Sequence, residues 1–257
     1  MNAIAEHSSI QPRSFSRTGF AQLVRIELRK SIDTRAGFWL LAATALLTIL
    51  AAVARAVSGE DAQHAIRPVL EAALIPTNVL LPVVGILLIT SEWSQRTALS
   101  TFVQVPNRMR VLAAKCAAGV ALGFGFYAIA VVMSVLAVAA FGSNVSDQWV
   151  FGTELATQFT AYVILGMLMG LALGAAMLAS APAIVTYFAA PAAVVVLASF
   201  NALEPVLKWI DPSSMAQPMT EAVMSSEEVA QVLTSAAVWI ALPMVIGLWR
   251  IGRADID

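Results

Sequence analysis

Long uncharged stretches separated by short polar segments dominate the pattern of this chain. Runs without Asp, Glu, Lys or Arg extend over residues 36–54, 72–91, 116–146, 155–203 and 229–249. A helix needs about 20 residues to cross the roughly 30 Å hydrocarbon core of a bilayer. The first, second and last runs each match one span, and the third matches one span with a loop attached.

The fourth run is long enough for two spans, and it contains the sequence ASAPA at residues 179–183. Proline disfavours a helical conformation in the preceding residue, so Pro182 predicts a break between two helices. We therefore predict an all-α polytopic membrane protein with a six-helix transmembrane domain at residues 37–250. The pattern places the six spans at residues 37–57, 70–91, 111–141, 153–179, 183–203 and 230–250.

The composition strengthens this interpretation. Hydrophobic residues make up 59% of the 257 residues, charged residues make up 12%, and the mean hydropathy is +0.80. In soluble domains about 25% of residues are charged. The composition therefore indicates an integral membrane protein. We expect a multi-pass protein of the cell (plasma) membrane, in contact with the lipid bilayer and with no nucleic-acid partner.

The basic residues indicate the orientation, because Lys and Arg next to spans are retained on the cytoplasmic side. With both termini inside, all but Arg55, Arg67 and Lys208 of the 15 basic residues lie on the cytoplasmic side, and ten of the 16 acidic residues lie outside. Residues 1–16 contain no apolar run of the kind a signal peptide has. We expect an N-in, C-in topology, a disordered arm at residues 1–16 and a cytoplasmic tail at 251–257.

Residues 17–36 have the pattern of an amphipathic helix in the membrane interface. Its apolar positions recur at spacings of three and four: Phe20, Leu23, Val24, Leu28 and Ile32. Arg25 and Arg29 take the other side, towards lipid phosphates. Glu27 falls within the apolar stripe, so its carboxylate needs a partner, either Lys30 or an arginine of residues 91–115. The alternative is a surface anchor with an incidental acid.

The residues that usually carry catalysis are missing from the predicted spans. His7 and His64 lie outside the spans, so neither a Ser-His protease nor an HExxH metalloprotease has its base or ligands. The single cysteine, Cys116, excludes an intrachain disulfide and a CxxC metal site. We therefore expect no enzyme activity and no metal in this chain.

A transporter built from this chain would need an outside source of energy. Ion-coupled carriers use ionisable residues near the bilayer midplane, whereas Arg55, Glu71, Glu154 and Glu204 lie at the outer ends of spans. The chain has no GxxxxGK[ST] sequence for binding nucleotide phosphates. If it transports, a separate cytoplasmic ATPase is expected to bind ATP and Mg.

The loop between spans two and three, residues 92–110, has the chemistry of a docking helix. The relevant residues are Glu92, Trp93, Arg96, Leu99, Phe102, Val103 and Pro106. The acid and the arginine form an i, i+4 pair, the tryptophan can anchor at the interface, the three apolar residues share a face, and the proline ends the helix. Lys115 is expected to extend its ammonium towards water at the start of span three. The alternative is a solvated loop that follows the positive-inside distribution.

Several short patterns resemble the membrane subunits of ABC-2 type transporters. In the loop, the residues that match the family's pattern are Glu92, Arg96–Thr97, Leu99, Pro106, Arg108 and Lys115. Arg96 departs from the family, in which glycine is common at that place. The sequence LVRIELRK at 23–30 is similar to the family's interfacial elbow helix, and RIGRADID at 250–257 is similar to its C-terminal tail.

The resemblance implies a half-transporter in which two permease subunits, identical or paralogous, assemble with two cytoplasmic ATPase subunits. The ATPase-coupling residues would be Glu92, Trp93, Arg96, Thr97, Leu99, Phe102, Val103, Pro106 and Arg108. The elbow residues would be Arg25, Glu27, Arg29 and Lys30. Residues 204–229 would form outer re-entrant helices. In this stretch an apolar run followed by Asp211–Pro212 suits a short helix and a turn. The expected function is export of an apolar or amphipathic substrate such as a drug, lipid or peptide. The alternatives are a non-transporting six-span anchor or regulator and an ion-coupled carrier using Glu71 or Glu204.

A translocation path has weaker signals. Pro76 and Pro82 bracket Thr77 and Asn78, and a proline leaves a helix carbonyl that a neighbour or water can satisfy at a cavity, although a simple kink is the alternative. An adaptable apolar route could include Phe124, Tyr127 and Met167. The small residues Gly166, Gly170 and Gly174 predict close helix packing instead of substrate contact.

Overall fold

The computed structural model describes residues 19–58, 65–94, 108–141, 149, 151–200, 203–216 and 224–253. Within these ranges every regular element is a helix. The longer helices are α1 (Phe20–Asp33), α2 (Arg35–Ser58), α3 (Ile66–Ser94), α4 (Arg108–Phe141), α5 (Thr153–Met177) and α6 (Ser180–Ala198). They are followed by α7 (Glu204–Ile210), a 3-10 helix (Pro212–Met215), α8 (Ser226–Ala236), a π-helical turn (Ala237–Ala241) and α9 (Leu242–Arg253).

Six helical segments of the described chain are long and apolar enough to cross a membrane. They are α2, α3, α4, α5, α6 and the continuous segment from α8 to α9. Their outward faces carry exposed apolar side chains such as Leu50, Val132, Val196 and Val245. Surfaces of this kind are unfavourable in water. The predicted helical architecture is therefore confirmed, and it is compatible with a multi-pass membrane protein.

Helix α5 lies at the centre of the bundle, where it packs against α3, α4, α6 and α9. Its glycines meet α3 in register: a methyl group on Gly166 would collide with Asn78 Oδ1, and one on Gly170 would collide with the backbone of Pro82. At Gly174 it would lie 3.1 Å from the Ile86 carbonyl oxygen. The two helices therefore pack in parallel, and the predicted packing role of this glycine ridge is confirmed.

The break between α5 and α6 has a different cause from the predicted one. Leu178 adopts a left-handed conformation with φ 54° and ψ 18°, and Ala179 is extended. Pro182 instead lies in the first turn of α6. Proline is tolerated there because the first N–H groups of a helix have no intrahelical acceptor. The prediction of two helices was right, and its attribution to Pro182 was wrong.

The segment between α6 and α8 begins with the predicted short helix and turn. Asp211 follows α7, and its carboxylate accepts a hydrogen bond from the Ser213 backbone N–H at 2.8 Å, which starts the 3-10 helix. The last described span holds this turn: Ser235 Oγ donates to the Asp211 carbonyl at 2.8 Å, and Trp239 Nε1 donates to the Ile210 carbonyl at 2.6 Å. These bonds fix the 3-10 helix against the bundle.

Candidate functional site

Four charged side chains from three helices meet at one end of the bundle. We call them the four-charge cluster: Glu27, Lys30, Glu92 and Lys115. Lys30 Nζ lies 2.8 Å from Glu27 Oε1 and 2.8 Å from Glu92 Oε1. Lys115 Nζ lies 2.7 Å from Glu27 Oε2 and 3.2 Å from Glu92 Oε1. Each carboxylate therefore contacts both ammonium groups, and the cluster is neutral.

The cluster is mostly shielded from water. The Glu27 and Lys115 side chains are each 5% exposed, Glu92 is 9% exposed, and Lys30 is 42% exposed. Burial opposes the charged form of Lys30, but the hydrogen bonds and attraction of Glu27 and Glu92 outweigh it and raise the pKa of this ammonium above its ordinary value. Lys30 is therefore charged at neutral pH. Buried charges need such pairing, because an unpaired one loses its hydration without compensation.

The position of Glu27 follows from the apolar stripe of α1. Leu23, Glu27 and Ser31 recur every four residues and form the buried face of the helix, which packs mainly on α4. The ends of the predicted stripe, Phe20 and Ile32, are exposed. Lys30 is the partner of Glu27 that the spacing predicts.

The second partner of Glu27 differs from the prediction. It is Lys115 and not an arginine of the loop. Lys115 was expected to extend towards water, and that expectation was wrong. Its ammonium turns inward, where it also donates to the Leu88 carbonyl at 2.9 Å. The two carboxylates and this carbonyl replace the water that the ammonium would otherwise bind.

The cluster holds one side of the predicted coupling segment. Glu92 lies in the last turn of α3, immediately before residues 95–107, and Arg108 follows them. Arg108 Nη1 donates to the Ile251 carbonyl of α9 at 2.9 Å. Both flanks of the segment are thus attached to the bundle.

Most of the predicted coupling residues lie outside the described residues. They are Arg96, Thr97, Leu99, Phe102, Val103 and Pro106, and the side chain of Trp93 is also outside the description. Their coupling role, and the pairing of Glu92 with Arg96, remain predictions.

The outer face of α1 carries the two arginines of the predicted elbow. Arg25 and Arg29 are exposed, and Arg29 Nε lies 3.4 Å from Asp33 Oδ2 in a solvent-facing pair. Such an exposed pair contributes little to stability. The arginine face is opposite the stripe that contains Glu27, as the sequence pattern predicts.

Two of the predicted path residues lie in helix contacts. The Thr77 hydroxyl lies 2.9 Å from that of Thr48 and joins α3 to α2. Met167 is fully buried between Gly85 of α3 and Gly119 of α4. Both side chains pack in the core of the bundle.

The other three path residues have separate environments. Phe124 is 52% exposed on the outside of α4. The Tyr127 hydroxyl donates to the Ala156 carbonyl at 3.2 Å, between α4 and α5. Asn78 alone among the five lines the cavity described next, within the described part of the chain. The structure thus does not bring the predicted path residues together.

A cavity of about 360 Å³ lies between α3, α5, α6 and the 3-10 helix. Its wall includes Asn78, Tyr162, Gly166, Tyr187 and Met215.

A proline explains one polar contact at this wall. Pro82 has no N–H to donate to the Asn78 carbonyl four residues earlier, and the Tyr187 hydroxyl donates to that carbonyl instead, at 2.8 Å. This is the kind of contact that the paired prolines predict. Two further polar members of the wall, Tyr162 and Tyr187, were missed, because a lone tyrosine in an apolar run gives no periodic signal.

Comparison with known proteins gives no assignment: no family model matches the chain, and no curated protein matches it significantly.

Proposed function

We propose that this chain is the membrane permease subunit of an ABC-2 type transporter. It lies in the plasma membrane with both termini in the cytoplasm and pairs with a second copy or a paralogue. A separate cytoplasmic ATPase binds ATP and Mg and supplies the energy. The complex exports an apolar or amphipathic substrate.

The four-charge cluster is the observation that carries this proposal. A partner that acts on residues 95–107 can move the spans only if that segment is joined firmly to them. The cluster ties α1 to the end of α3 and the start of α4, and Arg108 ties the start of α4 to α9. Removing one partner of a buried ion pair costs about 3–5 kcal/mol. A force on the segment is therefore shared by four helices.

The carboxylates proposed for ion coupling support this choice over a carrier. Glu71 Oε1 lies 2.8 Å from Arg67 Nε in a partly exposed pair. Glu204 is exposed in the first turn of α7. Carboxylates that couple ion movement face the interior of the bundle or a water-filled cavity within the membrane, whereas these two lie near the starts of α3 and α7.

The cavity supports transport over a purely anchoring role. An anchor or regulator needs packed helices and an outer surface, and it has no need of a binding pocket between its spans. A cavity of about 360 Å³ with polar groups in its wall is of the kind that binds small molecules.

Copurification with an ATP-binding cassette ATPase from the same cells tests the proposal. We expect the tagged chain to retain this ATPase, and we expect the double variant Leu99→Asp/Phe102→Asp to lose it because two charges would enter the apolar docking face. The matched control Val206→Asp changes an exposed apolar residue of α7 and should retain the ATPase. Retention by the double variant would contradict the docking face. No association of the unaltered chain with any ATP-binding cassette protein would contradict the function itself.

A further inference from the structure

We propose that the cavity between α3, α5 and α6 binds a neutral, hydroxyl-bearing amphipathic small molecule, and that the hydroxyl donates a hydrogen bond to the Asn78 side chain. The residues that line the cavity belong to one chain, so this site does not require a second permease copy.

The first argument is an acceptor without a donor. Asn78 Oδ1 is buried and has no hydrogen-bond partner among the described residues. Buried polar atoms nearly always have one. Oδ1 lies against Gly166, where the absence of a side chain makes room for it. The Asn78 amide also hydrogen-bonds the Tyr162 hydroxyl in the same wall, and the broad terminal torsion of asparagine lets this amide group turn towards the cavity.

The second argument is the chemistry of the wall. The polar side chains that line the cavity are Asn78, Tyr162, Tyr187 and Ser213, and no charged side chain of the described chain lines it. A charged ligand would lose its hydration there without a counter-charge. The wall therefore selects a neutral molecule, with hydroxyl or amide groups to pair with the few polar side chains.

The third argument is size. Small-molecule sites measure about 300–1,000 Å³, and this cavity, at about 360 Å³, lies near the lower end. It fits a compact ring system, whereas a peptide or a two-chain lipid would extend beyond its mouth. Of the substrate classes expected from the sequence, a drug-like small molecule matches this volume best.

The mouth of the cavity indicates where the ligand comes from. Ile75, Val79 and Phe188 line it and are 62%, 42% and 47% exposed. Asn78 comes twelve residues after the start of α3 at Ile66, which is roughly 18 Å along a helix that rises 1.5 Å per residue. If α3 spans the bilayer, the mouth opens to the hydrocarbon between α3 and α6. The ligand then arrives by way of the lipid and must be lipophilic.

Binding of the ligand stands on the cavity alone, whereas its role as the exported substrate rests on the proposed function. The test therefore measures binding to the full-length chain in lipid nanodiscs without any ATPase. The probes are 1-naphthol, which has a hydroxyl donor, and 1-methoxynaphthalene, which has the same ring and no donor. Equilibrium dialysis against empty nanodiscs corrects for partitioning into lipid.

We expect saturable binding of 1-naphthol to the unaltered protein. Asn78→Leu should weaken the binding of 1-naphthol by about tenfold, the loss of one hydrogen bond, and leave 1-methoxynaphthalene unchanged. Asn78→Ala removes the same acceptor without added bulk. It replaces Asn78→Leu in this test if the leucine variant does not fold. An equal change for both probes would overturn the role of Asn78.

Two tryptophan variants test the position of the site. Ala216→Trp fills the cavity and should abolish saturable binding of both probes, whereas Val185→Trp, at an exposed position of α6, should leave binding intact. Binding that survives Ala216→Trp, or the lack of saturable binding to the unaltered protein, would overturn the proposal. Probe binding by a chain that associates with no ATPase would leave this site standing and remove the transport function.

Discussion

Lys115 is the most enclosed cation of the four-charge cluster, and its loss should be costly. Lys115→Met leaves two buried carboxylates with Lys30 alone, so we expect a destabilisation of about 3–5 kcal/mol. Arg29→Met is the matched control, since the Arg29 side chain is 83% exposed and exposed pairs contribute about 0.2–1 kcal/mol. Denaturant unfolding in detergent micelles measures both. Equal destabilisation by Lys115→Met and Arg29→Met would contradict the buried pairing of Lys115 with Glu27 and Glu92.

A second substitution should restore part of that stability. The double variant Glu27→Leu/Lys115→Met leaves Lys30 paired with Glu92, so one charge of each sign remains. We expect it to be more stable than Lys115→Met alone, because no carboxylate is left buried without its share of positive charge. The same unfolding experiment measures this coupling. Additive losses would mean that Glu27 and Lys115 act independently.

The sequence predicts half of this cluster. Glu27 is recognisable because it interrupts an apolar stripe, and Lys30 is within reach on the same helix. Lys115 lies 88 residues from Glu27 along the chain, and its position at the start of a span is equally typical of a lysine that extends to water. Only the packing of α1 on α4 distinguishes the two.

At the scale of the helices, Gly170 is the contact most sensitive to size. In Gly170→Ala the new methyl group would meet the backbone of Pro82, which cannot move aside as the end of a side chain can. We expect α3 and α5 to be forced apart, with a loss of about 1–3 kcal/mol typical of overpacking. Thermal unfolding in detergent micelles measures this loss of stability.

The matched control is Gly125→Ala in α4. A methyl group there meets nothing within 4 Å in the described part of the chain. Alanine favours helix over glycine by about 1 kcal/mol, so this variant should unfold at the same temperature or higher. A Gly170→Ala protein as stable as the control would contradict the close contact between α3 and α5.

Charge spacing predicts the helices themselves well, because a span must exclude charges over a fixed length. The ends are harder to predict. The left-handed Leu178 that separates α5 from α6 has no sequence signature, since leucine is a good helix former and glycine or asparagine is usual at such a position. Pro182 is a recognised helix-breaking signal, so the sequence predicts that the break between α5 and α6 is caused by this proline instead.

At the scale of the whole molecule, the proposed topology can be tested by labelling. With Cys116 replaced by serine, a membrane-impermeant maleimide should label Ser226→Cys in intact cells. It should label Gln22→Cys only after permeabilisation, because α1 lies on the cytoplasmic side of the proposed topology. Both positions are exposed. Labelling of Gln22→Cys in intact cells would contradict the N-in orientation.

The energy source can be tested in cells that export a fluorescent substrate through the complex. Depletion of ATP at constant membrane potential should stop export, and Glu71→Gln should leave it unchanged, because Glu71 is paired with Arg67. Export that continues without ATP and fails in Glu71→Gln would favour an ion-coupled carrier.

The cavity is the part of the molecule that the sequence predicts least. The sequence identifies Asn78 as a candidate because it lies between two prolines. The other polar residues of the cavity wall, Tyr162, Tyr187 and Ser213, come from three other segments. Their convergence depends on the parallel packing of α3 and α5 and on the position of the 3-10 helix. A single sequence contains no signal for either.

The four-charge cluster also has a consequence for biogenesis. Glu27 leaves the ribosome long before Lys115, which is 88 residues later, and the carboxylate cannot be buried at low cost until both lysines are in place. We therefore expect helix α1 to dock onto the bundle only after α4 has been made. In a chain that stops before Lys115, α1 would then stay exposed, so closure of the cluster would mark the point at which this half of the protein is assembled.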